Sequence, residues 1–233
     1  WLNLAPDHLN WHRSLDSYIA AKARLFTQQR PDDVAIGYAD DPVVAAHLAD
    51  APGRAVSFAG LDSTSAADYH VVGSGPDAEL VGPNGSLARV DELARALPHD
   101  LTNGLAAAAL VRESGLVDES AIATALAELG GPPHRIEFVG EISGVAYYND
   151  SKATTPHAAA TAIRAFDSLV LIAGGSRKGV SLAPMAAEPE RLRAVVAIGE
   201  ATSDVHDAFA GSVEVVDAAS MPEAIATAHH LAR

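Results

Sequence analysis

Apolar and polar positions alternate along the chain in patterns that predict an α/β protein. In the first half, apolar residues at helical spacing predict a helix over 14–29, and a compact apolar run predicts a strand over 34–38. A short helix is expected over 43–49, and two longer helices over 102–114 and 118–129. Between them, short strands separated by Gly, Pro and Ser predict a small β-rich portion, in the segments AVSFAG, YHVVG and AELVG.

The pattern changes at LGGPPHR, residues 129–135, where two glycines and two prolines predict a domain boundary. The next segment predicts a β-hairpin that turns at Ser143-Gly144. Thr155 followed by Pro156 predicts the N-cap and first residue of a helix that runs to about Phe166. Strands and helices then alternate, which predicts βαβ crossovers and a mostly parallel sheet, in the order SLVLIAGG, helix 182–193, AVVAIG, helix SDVHDAFAG, VEVVD and helix 222–232.

Composition narrows the class of protein. The 233 residues are 48% hydrophobic and 20% charged, which suits one large or two ordinary globular domains with a proper core. No apolar run approaches the length of a membrane-spanning helix. The chain has no cysteine, which excludes disulfides and thiolate metal sites and favours the cytoplasm. The net charge of -14 argues against nucleic-acid and anionic-membrane partners, so an anionic substrate would need a local basic pocket.

Three polar clusters follow predicted strands, where open parallel sheets bind ligands. They are NDSK (149–152), GGSRKG (174–179) and AIGEATSD (197–204). In the first, Asp150 suits ribose hydroxyls or a metal, Lys152 suits a phosphate or acyl phosphate, and Thr154 adds a donor at the helix start. The alternative is an ordinary strand–helix turn with a capping residue. No GxxxxGK[ST] phosphate loop occurs in the printed sequence.

Lysine is rare in this chain, with 3 lysines against 13 arginines. Lys22, Lys152 and Lys178 are either ordinary surface residues or positions where a compact amine is needed and a guanidinium does not serve. Lys22 lies on an alanine-rich predicted helix, where a buried neutral amine could react with carbon dioxide to give a carbamate that binds magnesium. Upstream, PDHLNWH contains His8 and His12, four residues apart, as either a metal pair or unligated histidines.

Two further segments carry candidate ligand contacts. PHDLTNG places His99, Asp100 and Asn103 just before the predicted helix over 102–114, where an asparagine either caps the helix or binds the edge of a purine. Arg135 follows the predicted domain boundary and either faces a ligand or is a solvated arginine at a strand edge.

The segment NDSKATTPHAAATAI resembles a motif of the Mur ligase family, and within it that of the branch that adds D-glutamate to UDP-N-acetylmuramoyl-L-alanine. LNLAPDHLNWHRSLDSYIAAKARLF, PHDLTNGLAAAAL and PPHRIEFV are similar to other family segments in the same order. The sequence departs from the family at Asp100 and Thr155, where the family has mostly asparagine. The resemblance implies a cytoplasmic, monomeric, ATP- and magnesium-dependent amide ligase of small-molecule substrates.

The resemblance also implies roles for particular residues. His8 and carbamylated Lys22 would hold a magnesium ion, and both are implied to be catalytic, with Lys152. Asn103 and Asp100 would face the adenine, and Arg135 and Asp150 would contact the nucleotide. Lys152 and Thr154 would meet phosphate and D-glutamate, and Lys178 would pair with a D-glutamate carboxylate.

The resemblance implies a three-domain enzyme of which this chain holds only part. Residues 1–133 would be the rear part of the central ATPase domain, and 134–233 a Rossmann-like C-terminal domain truncated at its end. The N-terminal domain and the phosphate-loop half of the central domain would be missing, so the chain alone is expected to be inactive. The alternatives are a related ligase of the folylpolyglutamate synthetase type and a non-catalytic binding module.

Overall fold

The structure is a computed structural model, and it describes residues 1–6, 11–176 and 180–233. The chain folds into two compact units, Trp1–Gly130 and Gly131–Arg233. Within the described residues, no helix combines the length and the apolar character needed to cross a bilayer.

The first unit combines a parallel strand pair, an antiparallel meander and four helices among its described residues. Strands β1 and β2 are parallel, with Val34 opposite Arg54, while β3, β4 and β5 are antiparallel neighbours in that order. A single parallel bridge joins Phe58 to Tyr69, just before the meander. In chain order the elements are α1 Leu15–Ala23, β1 Val34–Tyr38, α2 Pro42–Ala49, β2 Arg54–Phe58, β3 His70–Val72, β4 Glu79–Gly82, β5 Gly85–Arg89, α3 Pro98–Glu113 and α4 Glu119–Glu128.

Helix α3 packs across the strands of the first unit through an alanine-rich face. Leu101, Leu105 and the alanines that follow are buried against Phe58, Tyr69 and Leu80. The small side chains allow close approach, and a Cβ on Gly104 would lie only 3.1 Å from a methyl group of Leu126. The alanine run therefore sets the distance between α3 and its neighbours.

Tyr69 makes the stability of the first unit depend on pH at alkaline values. Its ring is fully buried, and its hydroxyl donates to Glu113 at 3.0 Å. Burial, this hydrogen bond and the charge of Glu113 raise the pKa of Tyr69 to about 12 from 10.0. A raised pKa in the folded state means that its stabilisation is complete below about pH 10 and is lost as the pH rises towards 12.

We therefore expect the urea midpoint of the first unit to fall between about pH 10 and 12 more steeply in wild type than in Tyr69→Phe. Tyr148→Phe is the matched control, because that phenol is 42% exposed. Equal slopes in wild type and Tyr69→Phe would contradict the assignment.

The second unit is built on three parallel strands with helices on both faces. The order is β10-β9-β8, and β6 and β7 form a separate antiparallel pair. On the central strand, Val195 packs with Ile163 and Phe209, while Val196 packs with Ala224 on the other face. In chain order the elements are β6 Glu137–Ile142, β7 Val145–Asn149, α5 Pro156–Arg164, β8 Leu169–Gly174, β9 Leu192–Ile198, α6 Thr202–Phe209, β10 Val215–Ala218 and α7 Met221–Leu231.

Predictions that rest on local signals are confirmed. The strand over 34–38 has the predicted bounds. The hairpin turns at Ser143 and Gly144, whose φ values of 54° and 78° are those of a tight turn between twisted strands. Thr155 caps α5, since its hydroxyl accepts from the backbone N–H of Ala158 at 3.2 Å.

The predicted helix over 182–193 is wrong. Pro184 and Pro189 lie within that segment, and a proline in a helix interior removes a hydrogen bond and clashes with the preceding turn. The chain instead forms two short 3₁₀ turns, Ala183–Ala186 and Pro189–Arg191, and β9 begins at Leu192.

The predicted helix over 14–29 is too long. Helix α1 ends at Ala23, and the backbone N–H groups of Leu25 and Phe26 bond three residues back in tightened turns. These turns bury Phe26, whose ring centroid lies 6.3 Å from that of Trp1.

Two further expectations about position are also wrong. Helix α3 starts at Pro98, so Asp100 and Asn103 lie inside its first two turns and Asn103 is not its cap. The segment NDSK begins at Asn149, the last residue of β7, which belongs to the antiparallel pair, so this cluster is not at the edge of the parallel sheet. Strand β5 was not predicted.

Candidate functional site

A network of hydrogen bonds joins the segment 134–137 to the segment 149–152 in the second unit. Asp150 Oδ1 accepts from the backbone N–H of Ile136 at 3.1 Å, and the backbone N–H of Lys152 donates to the carbonyl of His134 at 3.1 Å. Asn149 Nδ2 lies 2.8 Å from His134 Nδ1. The two segments therefore form one structural element, although they are distant in sequence.

Arg135 lies between two residues with unusual backbone conformations. His134 has a φ of 63° and Ile136 a φ of 45°, in the left-handed region that β-branched residues rarely adopt. Ile136 is buried, whereas Arg135 is exposed. Such conformations persist only where surrounding contacts enforce them, and here Asn149, Asp150 and Lys152 supply those contacts.

The other predicted residues of this cluster lie directly after it. Lys152 and Thr154 are exposed and precede α5, where Thr155 is the N-cap. The structure thus brings together Arg135, Asp150, Lys152 and Thr154, which carry two cations, an acid and a hydroxyl. Asp150 Oδ1 accepts from Ile136, and a carboxylate offers several acceptor sites on its two oxygens.

In the first unit, Asp100 and Asn103 lie on the first two turns of α3 in different environments. Asp100 Oδ2 accepts from Arg95 Nε at 3.1 Å and from the backbone N–H of Leu97 at 3.3 Å. It therefore stabilises the helix start. Asn103 is exposed, and its amide can present a donor and an acceptor to a ligand.

The loop after β2 is fixed next to the first turns of α3 by Asp40. Burial would raise the pKa of Asp40, but hydrogen bonds from Ser63, the backbone N–H of Gly60, Ser65 and Tyr38 together outweigh it and hold this pKa below the ordinary value. A Cβ on Gly60 would lie 3.1 Å from Thr102 Oγ1, the neighbour of Asn103. These contacts of Asp40 and Gly60 could not be predicted from the sequence, because the residues are brought together only by folding.

Lys22 lies in the last turn of α1 beside aromatic rings. Its Nζ is 5.2 Å from the centroid of the Tyr18 ring. The Tyr18 ring in turn contacts the ring of His12, with 5.0 Å between the two ring centroids. Lys22 is half-buried, so it is neither fully solvated nor fully enclosed.

The fit to a magnesium ion depends on chemistry at Lys22. Magnesium prefers oxygen ligands, and an amine supplies none unless it carries a carbamate. Among residues 1–6, 11–176 and 180–233, no group of three or more His, Asp or Glu side chains is placed to hold a metal. His8 and Lys178 lie outside the described residues.

His134 and Asn149 had no predicted role. Nothing local in HRIE or YND indicates that these side chains meet, since the pairing follows from the hairpin register that places Glu137 opposite Asn149. The contact between His134 and Asn149 could therefore be found only from the structure.

Each unit is α/β. In the second unit, the exposed Arg135 and Lys152 lie with Asp150 beside the start of a helix, where such folds bind anionic ligands. The family model of the Mur ligase middle domain matches residues 1–111, and that of the Mur ligase glutamate ligase domain matches 134–233. The chain belongs to the Mur ligase family.

Two similar curated proteins carry the same name. The chain is 42% identical over 217 residues to a UDP-N-acetylmuramoylalanine--D-glutamate ligase of Frankia casuarinae, covering 90% of this chain and 44% of that protein. It is 35% identical over 236 residues to the protein of that name from Pelotomaculum thermopropionicum, covering 100% of this chain and 51% of that protein. The chain therefore spans about half the length of the curated relatives it matches.

Solved structures share the fold at low sequence identity. MurF from Acinetobacter baumannii has a TM-score of 0.73 at 23% identity, covering 99% of this chain and 52% of that chain. A folylpolyglutamate synthase from Mycobacterium tuberculosis, complexed with ADP, has a TM-score of 0.68 at 20% identity, covering 98% of this chain and 55% of that chain. Because ligases with different names share the fold, the fold alone does not determine the substrate.

Proposed function

We propose that the chain is part of an ATP-dependent ligase that adds D-glutamate to UDP-N-acetylmuramoyl-L-alanine during peptidoglycan precursor synthesis. The observation that carries this proposal is the 35–42% identity, along most of the chain, to relatives named for that reaction. Residues 1–133 are then the rear part of the central ATP-binding domain, and 134–233 most of the C-terminal domain.

In the proposed reaction, ATP phosphorylates the carboxylate of the acceptor, and the amine of D-glutamate attacks the resulting acyl phosphate. The tetrahedral intermediate collapses to the amide with loss of phosphate. Both steps place negative charge on phosphoryl oxygens, so catalysis needs fixed cations and donors near them.

The cluster of the second unit supports these roles. The exposed Arg135 guanidinium can make two parallel hydrogen bonds to phosphate oxygens, and the Asp150 carboxylate can accept from ribose hydroxyls. Lys152 is a catalytic cation for the acyl phosphate, and Thr154 donates to phosphate or D-glutamate. Lys178 pairs with a D-glutamate carboxylate.

The first unit supplies the adenine contacts in this proposal. Asn103 is exposed and can bind the edge of a purine, whereas Asp100 is held by Arg95 and Leu97. We therefore assign the main adenine contact to Asn103 and a supporting position to Asp100.

Magnesium is the proposed cofactor, with His8 and carbamylated Lys22 as ligands. A carbamate would give Lys22 the oxygen atoms that this hard cation prefers. The partners are small molecules, and the net charge of -14 disfavours nucleic acid and anionic membranes. We place the protein in the cytoplasm as a monomer.

A ligase of the folylpolyglutamate synthase type is the second candidate, because such a protein shares the fold with a TM-score of 0.68. A non-catalytic binding module is the third, because no GxxxxGK[ST] segment occurs in the printed sequence. Substrate dependence separates all three.

The test is ADP release by the full-length protein. We expect sustained release over many turnovers only when UDP-N-acetylmuramoyl-L-alanine and D-glutamate are both present, and none from residues 1–233 alone, which contain no phosphate loop. Release that needs a folate in place of the muramoyl substrate would favour the second candidate. A full-length protein that binds nucleotide but never releases ADP would favour the third.

A further inference from the structure

The segment around Arg135 is held in a conformation that its own residues disfavour. His134 and Ile136 both have left-handed φ values, 63° and 45°. Neither residue is glycine, and the β-branched side chain of Ile136 makes this conformation especially unfavourable. Without outside contacts, these residues would relax to negative φ and Arg135 would point elsewhere.

Asn149 makes two contacts that fix its side-chain orientation. Its Oδ1 accepts from the backbone N–H of Ser151 at 3.1 Å, and its Nδ2 lies 2.8 Å from His134 Nδ1. A backbone N–H can only donate, so the oxygen of the amide must face Ser151 and the nitrogen must face His134. In the neutral ring, His134 Nδ1 is then the acceptor, and Glu137 Oε2 also lies 3.5 Å from this nitrogen.

The backbone of His134 is held from two other directions. Its N–H donates to Glu137 Oε2 at 2.8 Å, and its carbonyl accepts from the N–H of Lys152 at 3.1 Å. Asn149 lies 2.8 Å from the ring nitrogen of His134, closer than Glu137 Oε2 at 3.5 Å, so Asn149 is the stronger restraint on the rotation of the ring that the backbone bonds leave open.

We propose that Asn149 is a positioning residue, which binds His134 and thereby holds Arg135 in its nucleotide-facing conformation. This inference rests on the proposed function, because it assigns to Arg135 a contact with the nucleotide. Asn149 itself touches neither substrate nor nucleotide in this account.

A double-mutant cycle tests the proposal in the full-length protein, by calorimetric ADP affinity and by the KM for ATP. We expect Arg135→Ala to weaken ADP binding about a hundredfold and Asn149→Ala about tenfold, by loss of a charged and of a neutral contact. Because Asn149 acts through Arg135, the double variant should match Arg135→Ala alone. The KM for D-glutamate should stay unchanged in Asn149→Ala.

Two variants keep the test independent of folding. Asn149→Leu is close to asparagine in size but has neither the donor to His134 nor the acceptor for Ser151, so it should lose ADP affinity as Asn149→Ala does. Ser151→Ala retains the backbone N–H that Asn149 binds, so it should match wild type in ADP affinity. All five variants should keep the thermal midpoint of wild type to within a few degrees.

Independent losses that multiply to about a thousandfold would overturn the positioning role, as would wild-type affinity in Asn149→Leu. So would unchanged ADP affinity in Arg135→Ala. The proposed function fails in a different way, namely if wild type releases no ADP with D-glutamate, and the ADP-affinity cycle still tests Asn149 in that case.

Discussion

Replacing Lys22 with arginine in the full-length protein is expected to reduce ligation by about 10²- to 10³-fold, the loss typical of removing one transition-state stabilising group. A neutral lysine amine adds carbon dioxide and releases a proton, which gives a carbamate with two oxygen ligands for magnesium. The guanidinium of arginine stays protonated and cannot form it. Lys22 is half-buried beside Tyr18, at 5.2 Å from the ring centroid, where an arginine still fits as a cation.

The test of the carbamate is chemical rescue. Lys22→Ala should regain part of its rate in the presence of a short carboxylic acid, which supplies the missing oxygens, whereas Lys22→Arg should not. Arg24→Lys is the matched control, because Arg24 is exposed at the end of the same helix. Full activity in Lys22→Arg would refute the carbamate.

Replacing Gly174 with alanine should destabilise the second unit by about 4 kcal/mol or more, which is an exceptionally large effect for a single substitution. A Cβ at this position would lie 1.8 Å from the carbonyl oxygen of Ile198, and Gly174 has a φ of 151°. Since Gly174 is paired with Ile198 in the register of β8 and β9, relief requires these strands to separate at their carboxyl ends.

Two control variants at other glycines distinguish the effect of the steric clash from that of backbone strain. Gly175 has a φ of 110° and no atom within 4 Å of an added Cβ, so Gly175→Ala should cost about 1–3 kcal/mol from strain alone. Gly130→Ala, with open space and no unusual φ, should be close to neutral.

Urea unfolding can be assigned to the units because both tryptophans, Trp1 and Trp11, lie in the first. Gly174→Ala should lower the midpoint seen by far-ultraviolet circular dichroism while leaving the tryptophan fluorescence midpoint unchanged. Equal midpoints for Gly174→Ala and Gly130→Ala by circular dichroism would contradict the packing described for β8 and β9.

Elements with a local signal could be predicted from the sequence. The turn at Ser143-Gly144 and the start of α5 at Thr155 and Pro156 depend on residues that determine backbone conformation by themselves. Prediction failed over 182–193, because two prolines outweigh the helical spacing there and because a non-local strand pairing begins at Leu192. Turns and a strand form instead, with Leu192 paired with Leu169.

The candidate site divides in the same way. Residue types at NDSK indicated anion chemistry, and the structure brings Arg135 into the same cluster through Asp150 and Ile136. The left-handed conformations of His134 and Ile136 could not be predicted, because they depend on side chains from the opposite strand of the hairpin. For Asp100, the sequence suggested a contact with a ligand but gave no indication of its hydrogen bonds to Arg95 and Leu97, which stabilise the start of the helix.

The most direct test of the proposed function is the choice of amino acid by the full-length protein. D-Glutamate, L-glutamate and L-lysine should be offered separately with ATP, magnesium and UDP-N-acetylmuramoyl-L-alanine, and amide product measured by mass spectrometry. The proposal predicts product with D-glutamate at a kcat/KM at least about a hundredfold above either alternative, because a site built for one stereoisomer leaves polar groups unpaired with the other. Preference for L-glutamate or L-lysine would contradict it.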